Sequence, residues 1–214
     1  MSYLRKMAYA IRHPDYALNR IIGLLRAWTG YDGTQWARVV MYRELFERVR
    51  ALGPAAMSAL EISPAGPDSP WRGLGFAAYE GVEHPEFDIC RDRLERQFDL
   101  VIADQVFEHL LWPYRAARNV HSMLNSGGRF IVTTPFLIRV HDVPIDCSRW
   151  TELGLKHLLA EGGFDIDRIK TGSWGNLACV RANLKTPSWA SVGFGRPLHN
   201  EHEYPVAVWA IAEK

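Results

Sequence analysis

Apolar positions before Gly53 recur at three- and four-residue spacing through Val39, Val40, Tyr42, Leu45, Phe46 and Val49, which predicts an amphipathic helix. His13-Pro14 and the Gly30-Tyr31-Asp32-Gly33 turn signal interrupt the helical pattern upstream. From Met57 the rhythm changes to short apolar runs separated by turn signals and helical stretches, as in a parallel sheet with crossovers. Strands are expected over Met57 to Ile62, Phe76 to Glu83, Phe98 to Ala103, Arg129 to Thr134, Phe164 to Thr171 and Pro205 to Ala212. Helices are expected over Pro113 to Leu124, stopping at Ser126-Gly127-Gly128, and over Thr151 to Ala160, with Thr151 as N-cap and Gly162-Gly163 as stop. The stretch from Ser173 to Tyr204 is long for a loop in a compact domain, so it is either functional or partly helical. The resulting division is a helical cap over 1–52 and a catalytic domain over 53–214.

Composition narrows the classes. The chain has 214 residues, 48% hydrophobic and 23% charged, which excludes disordered and fibrous proteins. A net charge of +1 provides no field for a nucleic-acid partner, and none is expected. Three cysteines, Cys90, Cys147 and Cys179, without C-x-x-C spacing suggest neither a disulfide framework nor a cysteine metal site, so a reducing, cytoplasmic location is expected. No apolar run approaches the ~20 residues that span a bilayer, and no signal peptide is recognisable. The segment Met1 to Trp28 is locally basic, with Arg5, Lys6, Arg12, Arg20 and Arg26 against Asp15. It reads either as a solvated helix or as a weak contact with an anionic membrane surface.

In open parallel sheets, ligands bind beyond the carboxyl ends of the strands, where helix N-termini and turning backbone offer N–H groups. Acidic or polar residues stand there after nearly every strand: Glu61-Ile-Ser63-Pro-Ala65-Gly66, then Glu83-His84, then Asp104-Gln105-Val106-Phe107-Glu108-His109. Several carboxylates converging on one edge repel one another unless a ligand or donors satisfy them.

The run Phe98-Asp-Leu-Val-Ile-Ala-Asp-Gln-Val-Phe-Glu-His-Leu110, the later Met123-Leu-Asn-Ser-Gly-Gly-Arg-Phe-Ile-Val-Thr-Thr-Pro135 and the helix ending Glu161-Gly-Gly-Phe164 together resemble class I S-adenosylmethionine-dependent methyltransferases over roughly Met57 to Lys214. The resemblance implies a Rossmann-like α/β fold: a seven-stranded mixed sheet, last strand antiparallel, with helices on both faces and S-adenosylmethionine as cofactor. It places Glu61 at the end of the first strand and Ser63, Ala65 and Gly66 on the cofactor turn. Glu83 falls on the acid that accepts from the ribose hydroxyls, Asp88 beside the adenine amino group, and Asp104 and Gln105 along the methionine portion. The chain departs from the pattern at the first turn, where Ser63, Ala65 and Pro67 stand at positions the family fills with glycine. A fold relative that has lost the cofactor and serves as a scaffold is the competing reading.

Methyl transfer to a hydroxyl calls for an acceptor oxygen held in line and a base for its proton. His141 is the expected base, with Asp146 orienting it or binding a substrate hydroxyl and His109 as the second candidate. Asp146 and Arg149 read equally as a salt bridge pinning the loop. A metal site drawing on His109, His141 and an aspartate, or Mg2+ as in some sugar methyltransferases, has no diagnostic spacing here, and no metal ligand is assigned. Arg149, Trp150, Trp174 and Asn176 are candidate acceptor contacts, the aromatic rings and amide suiting a carbohydrate. The His141-x-x-Pro-x-Asp146 loop with Arg149-Trp150-Thr151 resembles methyltransferases of polysaccharide and glycan assembly, which implies a sugar hydroxyl or a similar small molecule as acceptor.

Overall fold

The computed structural model describes residues 35–214 apart from 65, 67, 68, 143, 186–188, 193 and 194. The basic segment and most of the expected cap, residues 1–34, therefore lie outside the described residues, as does Ala65. Six strands form one sheet: β1 (Ser58–Ile62), β2 (Ala78–Val82), β3 (Phe98–Asp104), β4 (Leu124–Pro135), β5 (Ile169–Trp174) and β6 (Ala207–Glu213), in spatial order β2-β1-β3-β4-β6-β5. β1 is parallel to β2 and β3, β3 is parallel to β4, and β6 runs antiparallel to both β4 and β5. The last strand is antiparallel, as the resemblance implied.

The described sheet has six strands rather than the seven implied. The segment after β2, from Glu83 to Gln97, is charged throughout and offers no continuous apolar run, so it forms turns on the way to β3. β2 consequently stays at the sheet edge, and its residues are half-buried or exposed while those of β1 and β3 are mostly buried.

Alternate residues of the central strands feed two cores. Val101 and Ala103 of β3, with Phe130 and Val132 of β4, meet helices α2 (Pro113–Ser122) and α3 (Glu152–Glu161) through Ala116, Ala117, Val120, Leu155 and Leu159. Leu100, Ile102 and Ile131 point the other way, towards α1 (Trp36–Ala51) and α4 (Leu177–Lys185). On α1 the buried residues Ala37, Met41, Leu45 and Val49 recur every four positions, so one stripe of the helix packs on the sheet. That helix lies inside the stretch expected as a cap, and it shares one core with the sheet.

Local signals position α3 and α4. The Thr151 hydroxyl accepts from the Gly154 backbone N–H at 3.1 Å, the N-cap that the sequence predicts. At the other end of α3, a Cβ on Gly162 would lie 2.6 Å from the Ala117 Cβ, so glycine is what lets α2 and α3 approach. α4 occupies part of the long stretch before β6. No helix among the described residues is long and apolar enough to cross a membrane.

Candidate functional site

β1→β2 and β3→β4 depart in opposite directions across the sheet, so a crevice opens between the carboxyl ends of β1 and β3. A cavity of about 430 Å³ lies at that end, a volume ordinary for a small-molecule site. Its walls come from the segments after four strands: Ser63 after β1, Phe87 and Asp88 after β2, Gln105 and His109 after β3, and Ile145 after β4. Ser63 and Gln105 take φ of 52° and 60°, left-handed values that side chains other than glycine adopt at a cost. Both stand at the switch-point ends of adjacent strands. The glycine-poor turn is thus redrawn with Ser63 itself left-handed, its N–H donating to the Val82 carbonyl at 2.7 Å. Gly66, φ 68°, follows in an open position.

The residues expected to hold the cofactor divide into two groups. Glu83 is exposed at the end of β2, with no hydrogen bond or ion pair from its side chain to the described residues, next to the cavity-lining His84. Asp88 lines the cavity, accepts from the Cys90 N–H at 3.0 Å and pairs with Arg91 at 3.4 Å. The Gln105 amide donates to Thr133 Oγ1 at 3.1 Å, while its Oε1 is buried without a partner.

Glu61 and Asp104, by contrast, are engaged by the protein itself. Glu61 is 2% exposed and accepts from Ser69 Oγ at 2.6 Å and from the Tyr79 hydroxyl. Burial raises its pKa, against the pull of those two donors. Asp104 accepts from Tyr42 at 2.6 Å, from the Trp71 indole at 3.1 Å and from Thr133 at 2.5 Å. Tyr42 is held by α1, so this carboxylate ties the helix to the end of β3. Burial, ahead of the neighbouring Asp104 charge, raises the Tyr42 pKa, so the phenol stays a donor.

The histidines do come together. Residues Phe107–His109 form a 3-10 turn after β3, and the Glu108 carbonyl accepts from the N–H groups of Cys147 and Ser148 at 2.8 and 3.2 Å. These two bonds draw the loop after β4 onto the turn, leaving the His109 and His141 rings 5.1 Å apart. His109 Nδ1 contacts the Ile145 carbonyl, which only accepts, so Nδ1 carries a proton, and Nε2 stands 3.7 Å from Glu108 Oε1. The His141 N–H donates to Asp146 at 2.8 Å, and its Nδ1 lies 3.3 Å from both Asp146 Oδ2 and Arg149 Nη2. Burial lowers the His141 pKa more than Asp146 raises it, so the imidazole is neutral at pH 7.

Asp146 contacts His141 and also forms a two-pronged salt bridge with Arg149. Burial pushes the Asp146 carboxyl up, but Arg149 and the His141 N–H outweigh it and hold it at about 2. Arg149 is therefore occupied within the loop. The expected carbohydrate platform does not assemble. Trp174 is 1% exposed in the core, its indole N–H donating to the Leu198 carbonyl at 3.1 Å. Asn176 is fully buried, donating to the Pro197 and His199 carbonyls and accepting from the Cys179 N–H at the start of α4. Trp150 packs half-buried against the α2–α3 core. An aromatic face turned towards protein is not free to hold a sugar.

Two contributors escaped the sequence reading. Arg38, on α1, donates to the Tyr42 hydroxyl at 3.3 Å and lies over the Trp189 ring, which in turn meets His141 edge-on. Glu108 is fully buried with neither carboxylate oxygen hydrogen-bonded, and burial pushes its pKa up to about 8. The available signal was an acid set between Val106-Phe107 and Leu110-Leu111, where the flanking apolar residues point to the core. Glu108, rather than an aspartate, stands with His109 and His141. Mg2+ does not suit this set, because it prefers oxygen ligands and two of the three groups are imidazoles.

The Rossmann-like α/β fold with its mixed sheet is one that solved S-adenosylmethionine-dependent methyltransferases share. Among solved structures with this fold are an S-adenosylmethionine-dependent methyltransferase from Mesorhizobium loti, with TM-score 0.52 and 16% identity over 78% of this chain and 96% of that one. Another, from Archaeoglobus fulgidus, gives 0.52 at 14% over 80% and 94%. The Burkholderia thailandensis 1,6-didemethyltoxoflavin-N1-methyltransferase, bound to 1,6-didemethyltoxoflavin and S-adenosylhomocysteine, gives 0.53 at 12% over 100% and 91%. No family model and no curated protein matches the sequence.

Proposed function

We propose that this protein is an S-adenosylmethionine-dependent methyltransferase acting on a small molecule, with a sugar hydroxyl or similar oxygen as acceptor. The observation that carries the reading is the cavity at the switch point, with Glu83 unpaired among the described residues at the end of β2 and His109 on the wall, its ring 5.1 Å from that of His141. The groups present fit the cofactor. Glu83 is free to accept from two hydroxyls, the orphaned Gln105 Oε1 is free to accept from an ammonium, and Phe87 and Ile89 supply an apolar wall. When bound, S-adenosylmethionine supplies an electrophilic methyl group.

The protein's own part is to place the acceptor against His109 and His141 and to take its proton. His141 does so as a neutral base whose ring is fixed by Asp146. Calorimetric titration with S-adenosylmethionine and S-adenosylhomocysteine tests the reading, with Glu83→Ala as the companion variant. Saturable binding to the wild type that Glu83→Ala abolishes supports it. Absence of binding by either compound favours the scaffold reading.

A further inference from the structure

We propose that Glu108, His109 and His141 form a binding site for a divalent ion of the zinc type, in the wall between the cavity and the loop after β4. One ligand-capable atom from each of the three residues lies within 4.8 Å of those of the other two. Tetrahedral ligation at ~2.0–2.1 Å separates ligand atoms by about 3.3 Å, and His109 Nε2 already stands 3.7 Å from Glu108 Oε1. Closure onto an ion needs side-chain movement on the order of 1 Å, well within rotamer adjustment.

Three independent features favour an ion over an accidental cluster. Glu108 is fully buried and both its oxygens lack a hydrogen-bond partner, a state that native proteins rarely leave uncompensated. A cation on the carboxylate removes that deficit. His109, moreover, carries the outer support typical of metal-bound histidine, its Nδ1 meeting the Ile145 carbonyl and leaving Nε2 towards Glu108, while the His141 ring is held at Nδ1 by Asp146 and Arg149, each at 3.3 Å. Finally, the set supplies three ligands, two histidines and one glutamate, and both imidazoles are partly exposed, as in zinc sites that keep a fourth position for an exchangeable ligand.

Its role towards the acceptor rests on the methyltransferase reading, whereas the site itself does not. A bound ion takes the nitrogen lone pairs that otherwise accept the proton. It provides instead an open position at which an acceptor oxygen is polarised. The cluster thus has an ion-free state, in which His141 is the base, and an ion-loaded state, in which it is a ligand.

The test uses the full chain after dialysis against a chelator. Zn2+ is titrated in competition with a chromophoric chelator, and Co2+ is added separately to read the intense visible absorption of a tetrahedral site. The expected result is one equivalent of Zn2+ bound and a tetrahedral Co2+ spectrum. In Glu108→Gln, His109→Ala and His141→Ala, affinity should fall at least about tenfold, with unfolding midpoints showing that each variant is folded. Absence of binding to the wild type, or unweakened binding in any folded member of the three, overturns the site. S-adenosylmethionine titrations on the same samples separate the two readings, since either ligand can bind when the other does not.

Discussion

Two buried glutamates stand at the carboxyl ends of neighbouring strands, and their surroundings are opposite. Glu61, on β1, is answered by Ser69 and Tyr79, and next to it Asp104 is answered by Tyr42, Trp71 and Thr133. Glu108, just beyond β3, has no hydrogen-bond partner on either oxygen among the described residues, His109 Nε2 standing 3.7 Å away. Burial raises the pKa of both, and the value for Glu108 reaches about 8. A buried acid with donors is part of the architecture, whereas one without them lowers stability unless it has another use. Glu61 and Asp104 therefore hold the strand ends together, and Glu108, in the turn beyond them, is the carboxylate left open.

Substitutions at the two ends should separate in kind as well as in size. His141→Ala should slow methyl transfer by about 10²–10⁴-fold while leaving the urea midpoint and S-adenosylmethionine affinity near wild type. A variant that unfolds instead would make the β3 end structural too and erase the contrast. Glu61→Met should lower stability by about 2–3 kcal/mol, because the Ser69 and Tyr79 hydroxyls lose their acceptor. Urea denaturation measures it, and an unchanged midpoint would mean that water replaces the carboxylate there. Glu108→Met, nearly equal in volume, should change stability in the opposite direction, raising it by about 1–2 kcal/mol at pH 7 in chelator-treated buffer.

The comparison also sharpens through pH. Glu108 binds its proton more tightly folded than unfolded, so between the ordinary carboxylate range and pH 8 the native state holds the extra proton. Its contribution is fully present below the unfolded pKa and is lost as pH rises through about 8. Wild-type stability should therefore decline over that interval more steeply than that of Glu108→Met. Parallel curves would show that Glu108 is ionised in the fold. Asp146 has the reverse sign: its stabilising contribution is present above the ordinary aspartate range and is lost as pH falls through about 2.

Much of the framework was legible because short-range patterns set it. The six strand positions, the Thr151 cap and the stop at Gly162-Gly163 follow from alternation, capping chemistry and turn residues within a few positions of one another. The pairing of His109 with His141 was anticipated because both follow strands that a parallel sheet must end on one side. The seventh strand was wrong for a physical reason that was also local, since the charged run from Glu83 to Gln97 cannot fill a buried strand. Trp174 and Asn176 misled because a ring or an amide reads the same whether it faces a ligand or the core.

The sequence by itself determined the α/β class, the strand ends where polar residues gather and the loop from His141 to Arg149, since these depend on periodicity and neighbouring residues. Tertiary structure alone decided which carboxylates are satisfied. Tyr42 from α1 reaches Asp104 across 62 positions, Tyr79 reaches Glu61 across 18, and among the described residues no donor comes within hydrogen-bond distance of the Glu108 carboxylate. Hydrogen bonds extend about 3 Å in space irrespective of separation along the chain, so only the packed fold distinguishes an acid that is answered from one left open.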